Sequence, residues 1–151
     1  MYFWYKFFTY LFYPFSYFYL FVRILSKKED SKRYKEKLSK INIERGEGFL
    51  VWFHVASVGE AMSILPLIEN FENEKNVKKI LITTITLSSA QILKKKYDYS
   101  KKIFHQFLPL DVPIFVNKFL NYWNPNLAIF IDSEIWPNLI FDIKKKILLY
   151  Y

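Results

Sequence analysis

The sequence predicts an α/β chain, a Rossmann-like parallel sheet preceded by an N-terminal membrane-anchor helix. Three observations predict it. From Phe49 onward, short apolar runs rich in Val, Ile and Phe alternate with amphipathic stretches, the pattern of parallel strands covered on both faces by crossover helices. The first 25 residues are instead crowded with Tyr and Phe and carry Lys6 and Arg23 as their only charges. Between these two regions lies a basic segment. At 151 residues the chain holds one ordinary domain. The organisation therefore reads as an anchor over 1–25, a basic connector over 26–48 and one Rossmann-like domain over 49–151.

The chain opens with YFWYKFFTYLFYPFSYFYLFVRIL, Tyr2 to Leu25. Its uncharged centre, Phe7 to Val22, covers about 24 Å as a helix, against the roughly 30 Å of a hydrocarbon core. Spanning is marginal. On a helical projection Lys6, Tyr10, Tyr13 and Tyr17 share one stripe, which also suits a helix lying in the membrane interface. Pro14 kinks the helix in either placement. The residues after it, RILSKKEDSKRYKEK, contain no small-residue cleavage site, so an uncleaved anchor is expected. A buried aromatic core helix is the plainer alternative.

The connector that follows carries Arg23, Lys27, Lys28, Lys32, Arg33, Lys35, Lys37 and Lys40. Such a run belongs on the cytoplasmic side of a membrane and attracts anionic lipid headgroups. The net charge of +8 calls for an anionic partner or for solvated lysine faces. The charge lies in short clusters with no helix-turn-helix, zinc-finger or RNA-binding signature, so no nucleic-acid partner is expected. There is no cysteine, which excludes disulfides and thiolate metal sites. His54 and His105 sit in no ligand-like cluster, and no metal site is expected.

Candidate strands in the remaining chain are Phe49 to Ala56, Lys79 to Thr84, Ile103 to Leu108, Leu127 to Asp132 and Ile147 to Tyr151. Helical patterns fall between them at Glu60 to Glu72, Ser88 to Tyr97, Val112 to Trp123 and Glu134 to Lys145. Sheets of this kind bind ligands at the carboxyl ends of their strands. Candidate functional positions are therefore Ser57 to Glu60, Thr83 to Ser88, Pro109 to Pro113 and Asp132 to Asn138. Neither G-x-G-x-x-G nor a Walker loop is present, which argues against a dinucleotide or nucleoside triphosphate site here.

The stretch FLVWFHVASVGEA ends the first strand with Ser57, Val58, Gly59 and Glu60. An acid there suits the partial positive charge of a helix start, and it equally suits a general base. Gly59, one of only three glycines, suggests a sharp turn or close approach of a ligand. Ser57 and Ser133 read as helix caps or phosphate contacts. Trp136 and Pro137 read as packing at a helix start, and His54 as a satisfied core histidine.

HVASVGEA, TTITLSSA, LPLDVP and FLNYWNPNLAIFIDSEIWPNLI together resemble the amino-terminal half of bacterial 3-deoxy-D-manno-octulosonic acid (Kdo) transferases. The resemblance implies the N-terminal, acceptor-side half of a two-domain GT-B glycosyltransferase. It implies inverting, metal-free transfer from CMP-Kdo to the lipid A precursor lipid IV(A), at the cytoplasmic face of the bacterial inner membrane. Glu60 is then the proton acceptor and Asp132 the transition-state stabiliser, with a capping acid at the next helix the plainer reading of Asp132. Asp132 stands where the family has glutamate, one methylene longer. Ser57, Gly59 and Glu134 are the acceptor-binding candidates, and membrane lipids are further partners. No cofactor is implied, and CMP-Kdo is bound by a C-terminal donor domain that the sequence does not contain, so the chain is expected to be incomplete for transfer. Two other readings stay open: a non-catalytic, membrane-anchored module that binds the acidic lipid acceptor, and a receiver-like signalling domain with its acids around Mg²⁺.

Overall fold

The computed structural model describes residues 2–97, 100–131, 135–144 and, for the backbone, 148–150. Five strands form one all-parallel sheet: β1 (Phe49–Val55), β2 (Val77–Thr84), β3 (Ile103–Phe107), β4 (Leu127–Ile131) and β5 (Leu148–Tyr150). Their order is β3-β2-β1-β4-β5. The central strand β1 is buried from Leu50 to Val55, with Trp52 paired to Leu81 on one side and to Ala128 on the other. An apolar run without polar alternation is what a strand covered on both faces requires.

The side chains of β1 divide the core in two. Val51, Phe53 and Val55 pack with Ala61, Ile64, Ile68 and Leu93 beneath α3 (Val58–Ser63), α4 (Leu65–Asn73) and α5 (Leu87–Tyr97). Leu50 and Trp52 pack with Phe119, Trp123, Leu139 and Ile143 beneath α6 (Pro113–Trp123) and α7 (Pro137–Ile143). The polar tips of the two buried tryptophans are satisfied: Trp52 Nε1 donates to Thr83 Oγ1 and Trp123 Nε1 to Gln106 Oε1, each at 2.8 Å.

Two helices differ from the sequence expectation because of proline. The pattern over Glu60 to Glu72 is two helices broken at Ile64, with Pro66 in the first turn of α4, where its missing N–H costs nothing. The last helix begins at Pro137 rather than Glu134, with Trp136 as its N-cap residue. Asp132, Ser133 and Glu134 lie outside the described residues, so the expected end of the fourth strand at Asp132 does too.

The expected single anchor helix is corrected. Residues 2–25 form two short helices, α1 (Tyr2–Leu11) and α2 (Phe15–Leu25). Pro14 lacks the N–H that would continue α1 and instead occupies the N-cap of α2. No helix among the described residues is long and apolar enough to cross a membrane. A buried aromatic core helix is excluded as well, because Phe3, Phe8, Phe18 and Leu25 are all more than half exposed.

The segment 26–48 carries part of its charge inward. Glu29 accepts from both Arg23 Nε at 2.6 Å and Lys37 Nζ at 2.7 Å, and the Glu29 and Lys37 side chains are almost fully buried. Lys37 Nζ also donates to the carbonyl of Ile85 in the loop after β2. Arg33 holds Glu36 through Nε and Nη2 and reaches His105 Nδ1 at 2.8 Å. Glu36 in turn accepts the backbone N–H of Phe107. These ion pairs fasten the segment over the carboxyl ends of β2 and β3. Lys27, Lys28, Lys32 and Lys35 remain exposed.

Two measurements check this arrangement. Glu29→Ala leaves the Lys37 ammonium buried without its carboxylate, and the expected loss of stability in urea unfolding is about 3–5 kcal/mol. Burial lowers the pKa of His54 to about 4, and burial with the adjacent Arg33 guanidinium lowers that of His105 to about 3. The unfolded chain protonates both near 6.5 while the folded chain keeps them neutral. Their contribution is therefore fully present above pH 6.5 and declines as the pH falls toward 4, by up to about 1.4 kcal/mol per pH unit for each histidine. A unfolding midpoint that stays flat across that window would contradict the burial of these two rings.

Candidate active site

In a parallel sheet the strand order reverses at one place, and a crevice opens there at the carboxyl edge. Here β1 lies between β2 on one side and β4 on the other, so the reversal falls between β1 and β4. The loop that leaves β1 carries Ser57, Gly59 and Glu60.

The start of α3 fixes this loop. Ser57 is extended, and its Oγ accepts the backbone N–H of Glu60 at 3.2 Å. Glu60 reaches back, and its Oε2 accepts the backbone N–H of Ala56 at 2.7 Å. Serine followed three residues later by glutamate is the capping-box spacing, here with the return bond falling one residue earlier than Ser57. The two interactions hold the carboxylate over the end of β1. Oε1 has no hydrogen bond among the described residues, and Glu60 is half-buried while Ser57, Val58 and Gly59 are exposed.

The structure alters the reading of Gly59. It lies in the first turn of α3 and is absent from the residues with positive φ, which include Gly46 and Gly48. No sharp turn depends on it. The space over it is open, since an added Cβ would meet only Ser57 Oγ, at 3.9 Å. That openness is what close approach of a ligand to the backbone requires.

His54 is buried on the opposite face of β1 and packs edge-on against Phe130 of β4. Its Nδ1 lies 2.9 Å from Thr83 Oγ1, but Nε2 has no partner among the described residues. The expected satisfied core histidine is thus satisfied at one nitrogen only. Trp136 packs against the same core cluster, in agreement with its reading as a packing residue. Asp132, Ser133 and Glu134 lie outside the described residues, so their distances from Glu60 are not part of this geometry. No group of three or more His, Asp or Glu residues able to hold a metal occurs among the described residues.

Sequence reasoning places Asp111, the acid of LPLDVP after β3, in the candidate loop Pro109 to Pro113 but gives it no role. It is buried, and its carboxylate accepts the backbone N–H groups of Asn138 at 3.1 Å and Leu139 at 2.9 Å, together with the hydroxyl of Tyr5 at 2.8 Å. Burial pushes the Asp111 pKa up, while these hydrogen bonds oppose the shift. The available signal was an acid at a strand's carboxyl end, but nothing in the local pattern pairs it with residues so distant in sequence.

The sheet order also removes one alternative. A receiver-like domain places its third strand beside the first, in the order 2-1-3-4-5. In this chain β3 is an edge strand beside β2.

Comparison with known proteins gives a consistent result. The family described as 3-deoxy-D-manno-octulosonic-acid transferase (kdotransferase) matches residues 30–149. A 3-deoxy-D-manno-octulosonic acid transferase of Rickettsia bellii is 41% identical over 142 residues, which is 94% of this chain and 34% of the relative. The Haemophilus influenzae transferase of the same name is 32% identical over 128 residues, 82% of this chain and 29% of the relative. A probable mitochondrial 3-deoxy-D-manno-octulosonic acid transferase of Arabidopsis thaliana is 37% identical over 118 residues, 78% of this chain and 26% of the relative. The chain thus spans about a third or less of the length of these curated relatives. With the family match extending from the charged segment to the last strand, the chain belongs to the 3-deoxy-D-manno-octulosonic-acid transferase family.

Proposed function

We propose that this chain is the acceptor-side half of an inverting GT-B glycosyltransferase that moves Kdo from CMP-Kdo to the lipid A precursor lipid IV(A) in lipopolysaccharide biosynthesis. The observation that carries the reading is the Glu60 carboxylate, tethered by the Ala56 N–H beside the strand-order reversal with its second oxygen free of hydrogen bonds among the described residues. An acceptor hydroxyl that attacks the anomeric carbon of Kdo loses its proton as the new C–O bond forms. Glu60 takes that proton. The bond from the anomeric carbon to the CMP phosphate breaks on the opposite face, and the electron pair leaves with CMP. Proton removal of this kind contributes about 10²–10⁴-fold in rate.

In this reading Asp132 stabilises the transition state, while Ser57, Gly59 and Glu134 bind the acceptor. The hydroxyl of Ser57 has its own proton to donate, since among the described residues its Oγ only accepts, from the Glu60 N–H. The exposed backbone at Gly59 lets a sugar approach closely. CMP-Kdo itself is held by a donor domain of the family, and no metal takes part.

The lipid acceptor implies work at a bilayer, and we assign the contact to α1 and α2 lying in the membrane interface. Phe3, Trp4, Phe7, Phe8 and Leu11 form an exposed stripe along α1, and Phe15, Phe18, Val22 and Leu25 form another along α2. Spacings of three and four residues place each set on one helix face. Aromatic side chains suit the headgroup boundary. The exposed Lys27, Lys28, Lys32 and Lys35 follow directly, each worth about 1 kcal/mol at an anionic surface. This arrangement suits the cytoplasmic face of the bacterial inner membrane.

Two outcomes are expected. In a full-length transferase carrying this chain, Glu60→Gln lowers kcat at least about 100-fold with vesicle binding unchanged; near-normal turnover would remove Glu60 from the mechanism. Replacing Phe8 and Phe18 together by serine weakens binding to phosphatidylglycerol vesicles at least about tenfold, measured by co-sedimentation, without lowering the unfolding midpoint. Unchanged vesicle binding would remove the two helices from the membrane contact.

A further inference from the structure

Helix α1 is attached to the domain in an unusual way. None of its residues is buried, so apolar packing contributes little to holding it. Its contacts with the body run through a polar clasp. Tyr5 OH donates to Asp111 Oδ2 at 2.8 Å, and Asn138 Nδ2 donates both to Thr9 Oγ1 at 2.9 Å and to the Asp111 carbonyl at 2.7 Å. Tyr2 adds a ring stacked on Phe141 of α7 at 4.0 Å between centroids.

The same two residues hold the start of α7. The Asp111 carboxylate accepts the backbone N–H groups of Asn138 and Leu139, two of the donors that a helix start leaves unsatisfied. Trp136, the N-cap residue, makes no side-chain capping bond. Asp111 therefore supplies from a distant loop capping bonds that the Trp136 side chain does not make. Because Asn138 is wholly buried and its Oδ1 has no partner among the described residues, its orientation depends on the bonds made by Nδ2.

We propose that Asp111 and Asn138 are positioning residues that couple the membrane-facing helix α1 to the start of α7, the helix that directly follows the stretch DSEIW in sequence. The inference rests on the membrane reading given above. In water α1 is held by the clasp and one ring stack while its apolar stripe stays exposed, so it opens at little cost. Detached, α1 has ten residues and is too short to keep its helix in water, so a bilayer that takes up the stripe favours the helical form, whose opposite side carries Tyr5 and Thr9 toward Asp111 and Asn138; that is the differential interaction a ligand needs to shift an equilibrium. When α1 docks, Tyr5 and Thr9 complete the hydrogen bonds of Asp111 and Asn138, and the first turn of α7 becomes more firmly fixed.

The test measures amide hydrogen exchange at Asn138, Leu139 and Ile140, with and without vesicles of equal parts phosphatidylglycerol and phosphatidylcholine. Co-sedimentation is run on the same samples. In the unaltered chain, vesicles are expected to slow exchange at these amides by about tenfold. The double variant Tyr5→Phe, Thr9→Val cuts the clasp on the α1 side and leaves the Asp111 cap in place. It should bind vesicles as well as the unaltered chain and show no slowing. Asp111→Asn should raise exchange at the same amides even without vesicles. Equal slowing in the double variant, or vesicle binding without slowing in the unaltered chain, overturns the coupling alone. Absence of vesicle binding overturns the membrane reading and the coupling together.

Discussion

A parallel sheet cannot be closed by hairpins; each strand must be reached by a crossover, and the crossovers must leave the first strand in two directions for both faces to be covered. In this chain β1 meets that demand. It is buried on both faces, with β2 and β4 paired at its sides, and every helix after it covers one of the two surfaces that its side chains define. The reversal of strand order beside β1 opens the crevice, and the first residues to leave β1 are the ones that reach it. The position of Glu60 is thus a consequence of the topology before it is a matter of chemistry.

In the proposed mechanism the local chemistry serves two purposes with the same atoms. Ser57 and Glu60 exchange interactions that start a helix, and a helix start is what keeps a carboxylate from rotating freely. A base held at one oxygen retains a lone pair at the other and spends less entropy to reach its reactive geometry. A structural cap and a catalytic carboxylate are therefore compatible roles for Glu60. Farther from the crevice, the buried Glu29 and Lys37 pair and the Arg33, Glu36 and His105 set secure the charged segment that joins the aromatic helices to the sheet.

Much of this was legible in the sequence because apolar runs of strand length alternate with helical periodicity. The strands β1 to β4 begin or end within two residues of their expected bounds, and Glu60 lies at the expected carboxyl edge. What was not legible depended on contacts between distant residues. Periodicity along KKEDSKRYKEKL shows a charged run, but it does not show that Glu29 and Lys37 turn inward to meet each other. The aromatic start reads as one anchor helix with a kink, whereas Pro14 divides it into two helices whose inner sides rest on the domain through Tyr5, Thr9 and Leu20. Asp111 was visible as an acid in LPLDVP. Its partners lie in α1 and α7, at opposite ends of the chain, and only the fold brings them together.

In the proposed function the crevice beside β1 receives the sugar head of a lipid acceptor while α1 and α2 rest on the bilayer that holds its acyl chains. Titrating lipid IV(A) in bicelles into the isotope-labelled chain, and following backbone amide resonances against lipid-only bicelles, tests this most directly. Acceptor-dependent shifts are expected at Ser57, Gly59 and Glu60, beyond those that bicelles alone produce in α1 and α2. Shifts confined to α1 and α2, identical with and without lipid IV(A), would contradict it.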